Sequence, residues 1–111
     1  MSNEIKYITV MTTCPDETTA ALLARRLVEE RLAACVNRVP GVRSTYAWEG
    51  AVHDDPEVLL VIKTTAAAVG TLSARIVELH PYEVPEILAL PVIGGSERYL
   101  QWLGLNVDPA A

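Results

Sequence analysis

The first half of the chain contains two kinds of apolar pattern. Short apolar stretches lack helical spacing, and in longer stretches the apolar residues recur at helical spacing. Residues 5–13 are rich in β-branched and aromatic side chains and contain no glycine or proline, so they predict a first strand. Residues 33–39 and 42–48 form one longer second strand, which bends where Pro40 and Gly41 interrupt the apolar run. A long extended segment therefore occupies the middle of the protein.

Two more strands follow. Residues 57–64 predict the third strand and residues 86–93 the fourth. Glu49, Gly50 and residues 53–56 carry turn-forming residue types, which would join the second strand to the third as a hairpin. We interpret residues 53–56, which contain a histidine and two aspartates, as a solvated turn rather than a cation site.

Three segments have the spacing of amphipathic helices. The first starts at Pro15, which two acidic residues follow, and runs to about Leu32, because a fixed φ and acidic groups suit a helix N-terminus. The second covers residues 65–79 and ends at His80, since the proline after it disfavours helical geometry. Residues 96–103 predict a short third helix.

The order β-α-β-β-α-β, with one extra helix, is that of an α+β, ferredoxin-like fold, and residues 1–111 form a single domain of this kind. In this fold two helices cover one face of the sheet. The third predicted strand is apolar at every position from Val58 to Ile62, so both of its faces are expected to be buried. We expect a second copy of the chain to cover the other face.

Charge limits the partners. Nine basic residues against fourteen acidic ones give a net charge of −5, which repels phosphate backbones and anionic lipids, so neither nucleic acid nor a membrane is expected as a partner. The N-terminus shows no secretory signal, so a cytoplasmic location is expected. In that compartment Cys14 and Cys35 are expected to be free thiols.

The segment from His80 to Glu86 holds an imidazole and two carboxylates, His80, Glu83 and Glu86, within seven residues. Nitrogen and oxygen ligands of this kind suit borderline transition metals. The alternative for His80 is a helix cap or an interface hydrogen bond. Cys14 is a fourth ligand candidate, because a helix N-terminus after it would favour the thiolate, although a small buried residue is the alternative there.

A second group of residues could line a ligand cleft. Glu57 and Lys63 lie on one predicted strand at even separation, so they could flank a cleft or form a cross-strand ion pair. Trp48 and Tyr82 are large side chains with polar handles, which usually anchor cores and interfaces. No catalytic motif is present, and we expect the chain not to be an enzyme.

Several of these residues, taken together, resemble the CutA divalent-cation-tolerance family over about residues 7–103. The matching positions are Leu32, Ala33, Ala34, Cys35, Val36, Asn37, Pro40, Ser44, Tyr46, Trp48, Gly50, Glu57, Lys63, Thr64, His80, Pro81, Tyr82, Glu83, Pro85, Glu86, Tyr99 and Trp102.

The resemblance implies a homotrimer, similar in architecture to the PII signalling proteins, that acts in cytoplasmic tolerance of divalent metals, copper above all. It also implies Cu(II) binding, for which His80 is the matching ligand. Cys14, Glu83 and Glu86 are further candidates on the chemistry of the residues themselves. The chain departs from some members at Leu79, where they have a second histidine, and at Thr12, where they have a cysteine. The alternative function is a PII-like signalling module. It would bind a small ligand in inter-subunit clefts, near Trp48, Glu57, Lys63 and Tyr82, and report it to a signalling partner.

Overall fold

The structure, a computed structural model, describes residues 4–109. Its strands are β1 (Tyr7–Cys14), β2 (Cys35–Trp48), β3 (Ala51–Thr65) and β4 (Leu88–Val92). Its helices are α1 (Glu17–Glu29), α2 (Val69–Leu79) and α3 (Glu97–Leu105), and a single 3₁₀ turn (Ala66–Ala68) leads into α2. No helix within residues 4–109 is long and apolar enough to span a membrane.

The four strands form one antiparallel sheet in the order β2-β3-β1-β4. This topology confirms the predicted α+β, ferredoxin-like arrangement. Successive side chains of a strand point to opposite faces, and the even-numbered residues of β1 and β3 face α1 and α2. There they form the main core with apolar side chains of both helices, including Val10, Leu60, Ile62, Leu23, Leu27, Leu72 and Ile76.

The opposite face of the sheet is only partly covered. Helix α3 packs on one end of it, where Leu103 and Val107 are buried against Ala34, Ala68 and the ring of Tyr7. The expectation that the chain has helices for only one face is therefore wrong at this end. Beyond α3 the face stays apolar and open, and we call its open part the apolar face: Met11, Val39, Leu59, Val61, Leu88 and Leu90.

The turn between β2 and β3 is shorter than the sequence predicts. Glu49 and Gly50 alone make it, both with positive φ, as a two-residue hairpin turn requires. Residues 53–56 are part of β3 and pair with β2, so their interpretation as a solvated turn is wrong. Pro56 is tolerated in the strand because β1 ends opposite Val58, so β3 has a neighbour on one side only from that point outward.

Side-chain contacts along this outer hairpin explain why polar residues occupy a strand there. Asp54 forms an ion pair with Arg43 at 3.0 Å. The hydroxyl of Tyr46 donates to Asp55 at 2.6 Å, and its ring stacks on His53 with centroids 5.3 Å apart. These cross-strand pairs replace the apolar alternation that normally marks a strand.

The helix boundaries differ slightly from the predicted ones. Helix α1 begins at Glu17 rather than at Pro15. Asp16 caps it, because the Asp16 carboxylate accepts a hydrogen bond from the backbone N–H of Thr19 at 2.8 Å. Helix α1 ends before Leu32, since Arg31 takes a left-handed conformation and the amide of Leu32 donates back to the carbonyl of Leu27 at 3.0 Å.

Candidate functional site

Cys14, Glu57, His80 and Tyr82 come together where β1 ends, and we call these four residues the β1-end cluster. Cys14 is the last residue of β1 and pairs with Val58, the neighbour of Glu57 on β3. His80 closes α2, and Tyr82 lies two residues beyond it. The cluster therefore joins two of the predicted metal ligands with two of the predicted cleft residues.

His80 is buried and uses both ring nitrogens. Its Nε2–H donates to the carbonyl oxygen of Thr13 at 2.7 Å, and the backbone N–H of Tyr82 donates to Nδ1 at 3.1 Å. A carbonyl can only accept and an amide can only donate, so these partners define the neutral tautomer with the proton on Nε2. His80 does cap α2, as the second interpretation has it, but its ring holds β1 rather than the helix carbonyls.

Glu57 is a buried carboxylate with a tyrosine hydroxyl on it. The residue is 7% exposed, and the hydroxyl of Tyr82 donates to Oε2 at 2.8 Å. The pKa of Tyr82 is held well above its usual range, mainly by burial of the phenol and secondly by this hydrogen bond to Glu57. Glu57 pairs with Val42 on β2, and next to this pair a bulge between Val39 and Val42 interrupts the pairing of β2 with β3.

Cys14 is not activated. Burial, and then the negative charges of Glu57 and Asp16, raise the pKa of the Cys14 thiol to about 11. The expectation that the helix N-terminus favours a thiolate is therefore wrong, because desolvation and two nearby carboxylates outweigh the helix. Cys14 belongs to the main core, as its alternative interpretation has it.

The two remaining ligand candidates lie outside the cluster. Glu83 and Glu86 are exposed, and the structure gives them no hydrogen bond or ion pair within residues 4–109. Within the same residues no group of three or more His, Cys, Asp or Glu side chains is placed to hold a metal ion. Residues 4–109 of one chain thus provide separate candidate ligands and no assembled metal centre.

The cleft candidates are spread along the hairpin. Trp48 lies at the tip of the hairpin, paired with Ala51 on β3. Glu57 is six positions along β3 from Ala51, and Lys63 is six positions beyond Glu57. At about 3.3 Å per residue, each step is roughly 20 Å. Lys63 pairs with Thr9 and Cys35, so no carboxylate faces it across the sheet. A single chain brings Glu57 and Tyr82 together but not Trp48 or Lys63.

Sequence reasoning missed two partners of the cluster. The backbone carbonyl of Thr13, which accepts from His80, leaves no trace in a sequence. The second is the hydrogen-bonded pair of Tyr46 and Asp55, which lies next to Glu57 on the hairpin. Electrostatic interaction with this pair raises the pKa of Tyr82 further. The even spacing of Asp55 and Glu57 would have placed them on one face, had residues 53–56 been predicted as strand.

The family model for the CutA1 divalent ion tolerance protein matches residues 8–106. The divalent-cation tolerance protein CutA of Thermus thermophilus is 54% identical over 97 residues, which cover 87% of this chain and 94% of that protein. Protein CutA of Homo sapiens is 50% identical over 91 residues, 82% of this chain, but the chain spans only 51% of its length.

Solved structures agree. The divalent cation tolerance protein (Cut A1) of Thermus thermophilus superposes with a TM-score of 0.90 at 51% identity, covering 92% of this chain and 99% of that one. CutA1 of Oryza sativa gives 0.91 at 42% identity, covering 96% and 98%.

The family match, over residues 8–106, extends from β1 to α3 and so includes all four strands and the β1-end cluster. Proteins of this kind are non-enzymatic tolerance proteins, which confirms the expectation that the chain is not an enzyme. The chain belongs to the CutA1 divalent ion tolerance protein family.

Proposed function

We propose that this chain forms a homotrimer that binds Cu(II) or a similar divalent cation and serves divalent-cation tolerance in that form. The observation that carries the proposal is the apolar face, left open in the protomer, with two exposed carboxylates, Glu83 and Glu86, just before the strand β4 that contributes to it. The relative from Thermus thermophilus, which matches over nearly its full length, is named for divalent-cation tolerance and supports the cation part.

The assembly step rests on the apolar face. Leu88 and Leu90 on β4 are 56% and 45% exposed, and Val39 on the other edge is 40% exposed. A continuous apolar surface of this kind marks an interface, because water leaves it favourably when a second surface covers it. When copies of the chain cover one another's apolar faces, these side chains are no longer exposed to water.

The cation step rests on which ligands are free. The Cys14 thiol is protonated, with its pKa raised to about 11, and both nitrogens of His80 have protein partners. Glu83 and Glu86 are exposed and without partners within residues 4–109, so their carboxylates can accept a cation without rearrangement. Glu86 lies two residues before Leu88, so assembly on the apolar face would bring ligands of a neighbouring copy close to it.

Equilibrium dialysis against Cu(II), with zinc as competitor, tests the proposal on protein whose mass has been checked by light scattering. We expect stoichiometric binding by a trimer. In the double variant Glu83→Gln with Glu86→Gln we expect the affinity to fall by about tenfold or more. The matched control is Glu17→Gln with Glu97→Gln, two exposed carboxylates in first turns of helices, which should bind as the unaltered protein does. A monomer, or equal binding by both double variants, contradicts the proposal.

The second candidate is the PII-like signalling module. The spacing of its cleft residues favours it only in an assembly, since Trp48 and Lys63 lie roughly 40 Å apart along one hairpin. Trp48 is 42% exposed in the protomer and is free to meet another copy. A thermal-shift screen with nucleotides and small metabolites tests this function. Stabilisation by one compound that is lost in Trp48→Ala supports it, and no stabilising compound speaks against it.

A further inference from the structure

We propose that His80 is a positioning residue rather than a cation ligand. In this role it clamps the segment that follows α2 to the end of β1 and sets the Tyr82 hydroxyl on the carboxylate of Glu57. The inference is independent of cation binding and reassigns the residue that the family resemblance offers as the first ligand.

The clamp begins where the sheet loses a strand. β4 pairs with β1 from Tyr7 to Met11, whereas β1 continues to Cys14. Beyond Met11 the Nε2–H of His80 donates to the Thr13 carbonyl at 2.7 Å. The imidazole thus supplies a hydrogen bond to β1 where β4 no longer does, and it satisfies a buried acceptor that would otherwise be costly.

The other ring nitrogen fixes Tyr82. The backbone N–H of Tyr82 donates to Nδ1 of His80 at 3.1 Å, and the rings of the two residues contact each other with centroids 4.7 Å apart. Two contacts to one imidazole determine both the position of the Tyr82 backbone and the direction of its ring. The ring is 38% exposed, so packing in the core does not do this.

The fixed tyrosine then serves Glu57. A carboxylate that is only 7% exposed needs a hydrogen-bond donor, and the Tyr82 hydroxyl provides one at 2.8 Å. The bulge in β2 lies beside Val42, the β2 partner of Glu57, whereas the clamp from α2 reaches the carboxylate itself through Tyr82. His80 acts on Glu57 through Tyr82 and does not touch it.

The disagreement with a ligand role follows from the same contacts. A metal ion on His80 needs a lone pair on one nitrogen, but the lone pair of Nδ1 already accepts a hydrogen bond from the Tyr82 amide, and Nε2 carries a proton that it donates in a hydrogen bond to the Thr13 carbonyl. Cys14, the neighbour in sequence of Thr13, is a buried protonated thiol. Loss of copper binding in His80→Ala would not separate the two roles, because the clamp also holds the segment that carries Glu83 and Glu86.

Nitrogen NMR of the histidine rings, on the intact protein, separates them. We expect His80 to show one neutral tautomer, with a protonated Nε2 and a bare Nδ1, and its signals to stay in place when Zn²⁺ is added to one equivalent per chain. His53, the other histidine, is half-buried on the hairpin and serves as the internal comparison. A protonated Nδ1, or a stoichiometric Zn²⁺ shift of the His80 signals, overturns the clamp.

Amide hydrogen exchange at Tyr82 provides the second readout. We expect the Tyr82 amide to exchange at least about tenfold faster in His80→Ala than in the unaltered protein. In His80→Asn it should exchange more slowly than in His80→Ala, because the side-chain oxygen of asparagine offers an acceptor near the place of Nδ1. Equal exchange in the unaltered protein and His80→Ala contradicts the clamp. If neither Cu(II) nor Zn²⁺ binds at all, the proposed function fails while the tautomer still decides the role of His80. If Zn²⁺ binds through His80, the clamp fails and the function stands.

Discussion

Thr12 and Thr64 are both fully buried threonines on the helix-facing side of the sheet, yet their hydroxyls differ. Thr64 donates to the carbonyl of Leu32 at 2.7 Å, whereas the Thr12 hydroxyl has no partner within residues 4–109. A buried hydroxyl without a partner costs about 1–3 kcal/mol. We therefore expect Thr12→Val to raise the free energy of unfolding by about 1 kcal/mol and Thr64→Val to lower it by a similar amount.

Urea unfolding at one fixed protein concentration measures both changes, because assembly makes stability depend on concentration. A loss of stability in Thr12→Val as well as in Thr64→Val would mean that the Thr12 hydroxyl is satisfied.

Cys14 should be chemically silent in the folded protein. With the pKa of its thiol raised to about 11, only about one molecule in a thousand is a thiolate at pH 8. In Cys35→Ser, where Cys14 is the remaining thiol, a disulfide reagent should label no thiol in the native state and one per chain in urea. Cys14→Ser is the companion variant, which leaves the half-exposed Cys35. Rapid labelling of native Cys35→Ser would show that Cys14 is accessible and ionised.

At the scale of elements, the N-terminus of α1 has a charge-dependent cap. Hydrogen bonds from Thr19 to the Asp16 carboxylate lower the pKa of Asp16. A lowered pKa in the folded state means that the stabilisation is complete above the unfolded value of about 3.9 and is lost as the pH falls through the folded one. Asp16→Asn keeps a capping oxygen without the charge.

We therefore expect the melting temperature of the unaltered protein to fall more steeply below pH 4 than that of Asp16→Asn. Thermal unfolding between pH 3 and pH 7 makes the comparison. Parallel curves for the two proteins would assign the acid loss to other carboxylates.

Regular spacing made most elements predictable, and unusual local chemistry explains the misses. The strands and helices follow from apolar periods of two and about 3.6, as the core positions Val10, Leu23 and Ile76 show. Residues 53–56 looked like a turn because aspartate and proline usually form turns. They lie in β3 because cross-strand partners such as Arg43 stabilise them and because that part of the strand has one neighbour only.

At the scale of the whole molecule, the candidate site was predictable in composition but not in geometry. The sequence singled out His80, Cys14, Glu57 and Tyr82, and these residues do meet. Which nitrogen of His80 carries the proton, or whether Cys14 is ionised, depends on burial and on backbone partners such as the Thr13 carbonyl, and neither can be read from residue types. Contacts between copies are likewise outside the reach of a single chain's spacing.

The apolar face allows a direct test of assembly. Leu90 is 45% exposed at the middle of β4, so lysine there should be tolerated by the protomer fold but would place a charge in the interface between copies. We expect light scattering to give three times the chain mass of 12.1 kDa for the unaltered protein and the single-chain mass for Leu90→Lys. Far-UV circular dichroism should be the same for both.

Val77→Lys is the matched control, because Val77 is equally apolar and 53% exposed but lies on α2, on the other side of the sheet. It should assemble as the unaltered protein does. If Leu90→Lys also keeps the higher mass, the apolar face is not the interface. If Val77→Lys is the variant that dissociates, the helical layer holds the copies together and the carboxylates before β4 lose their proposed neighbours.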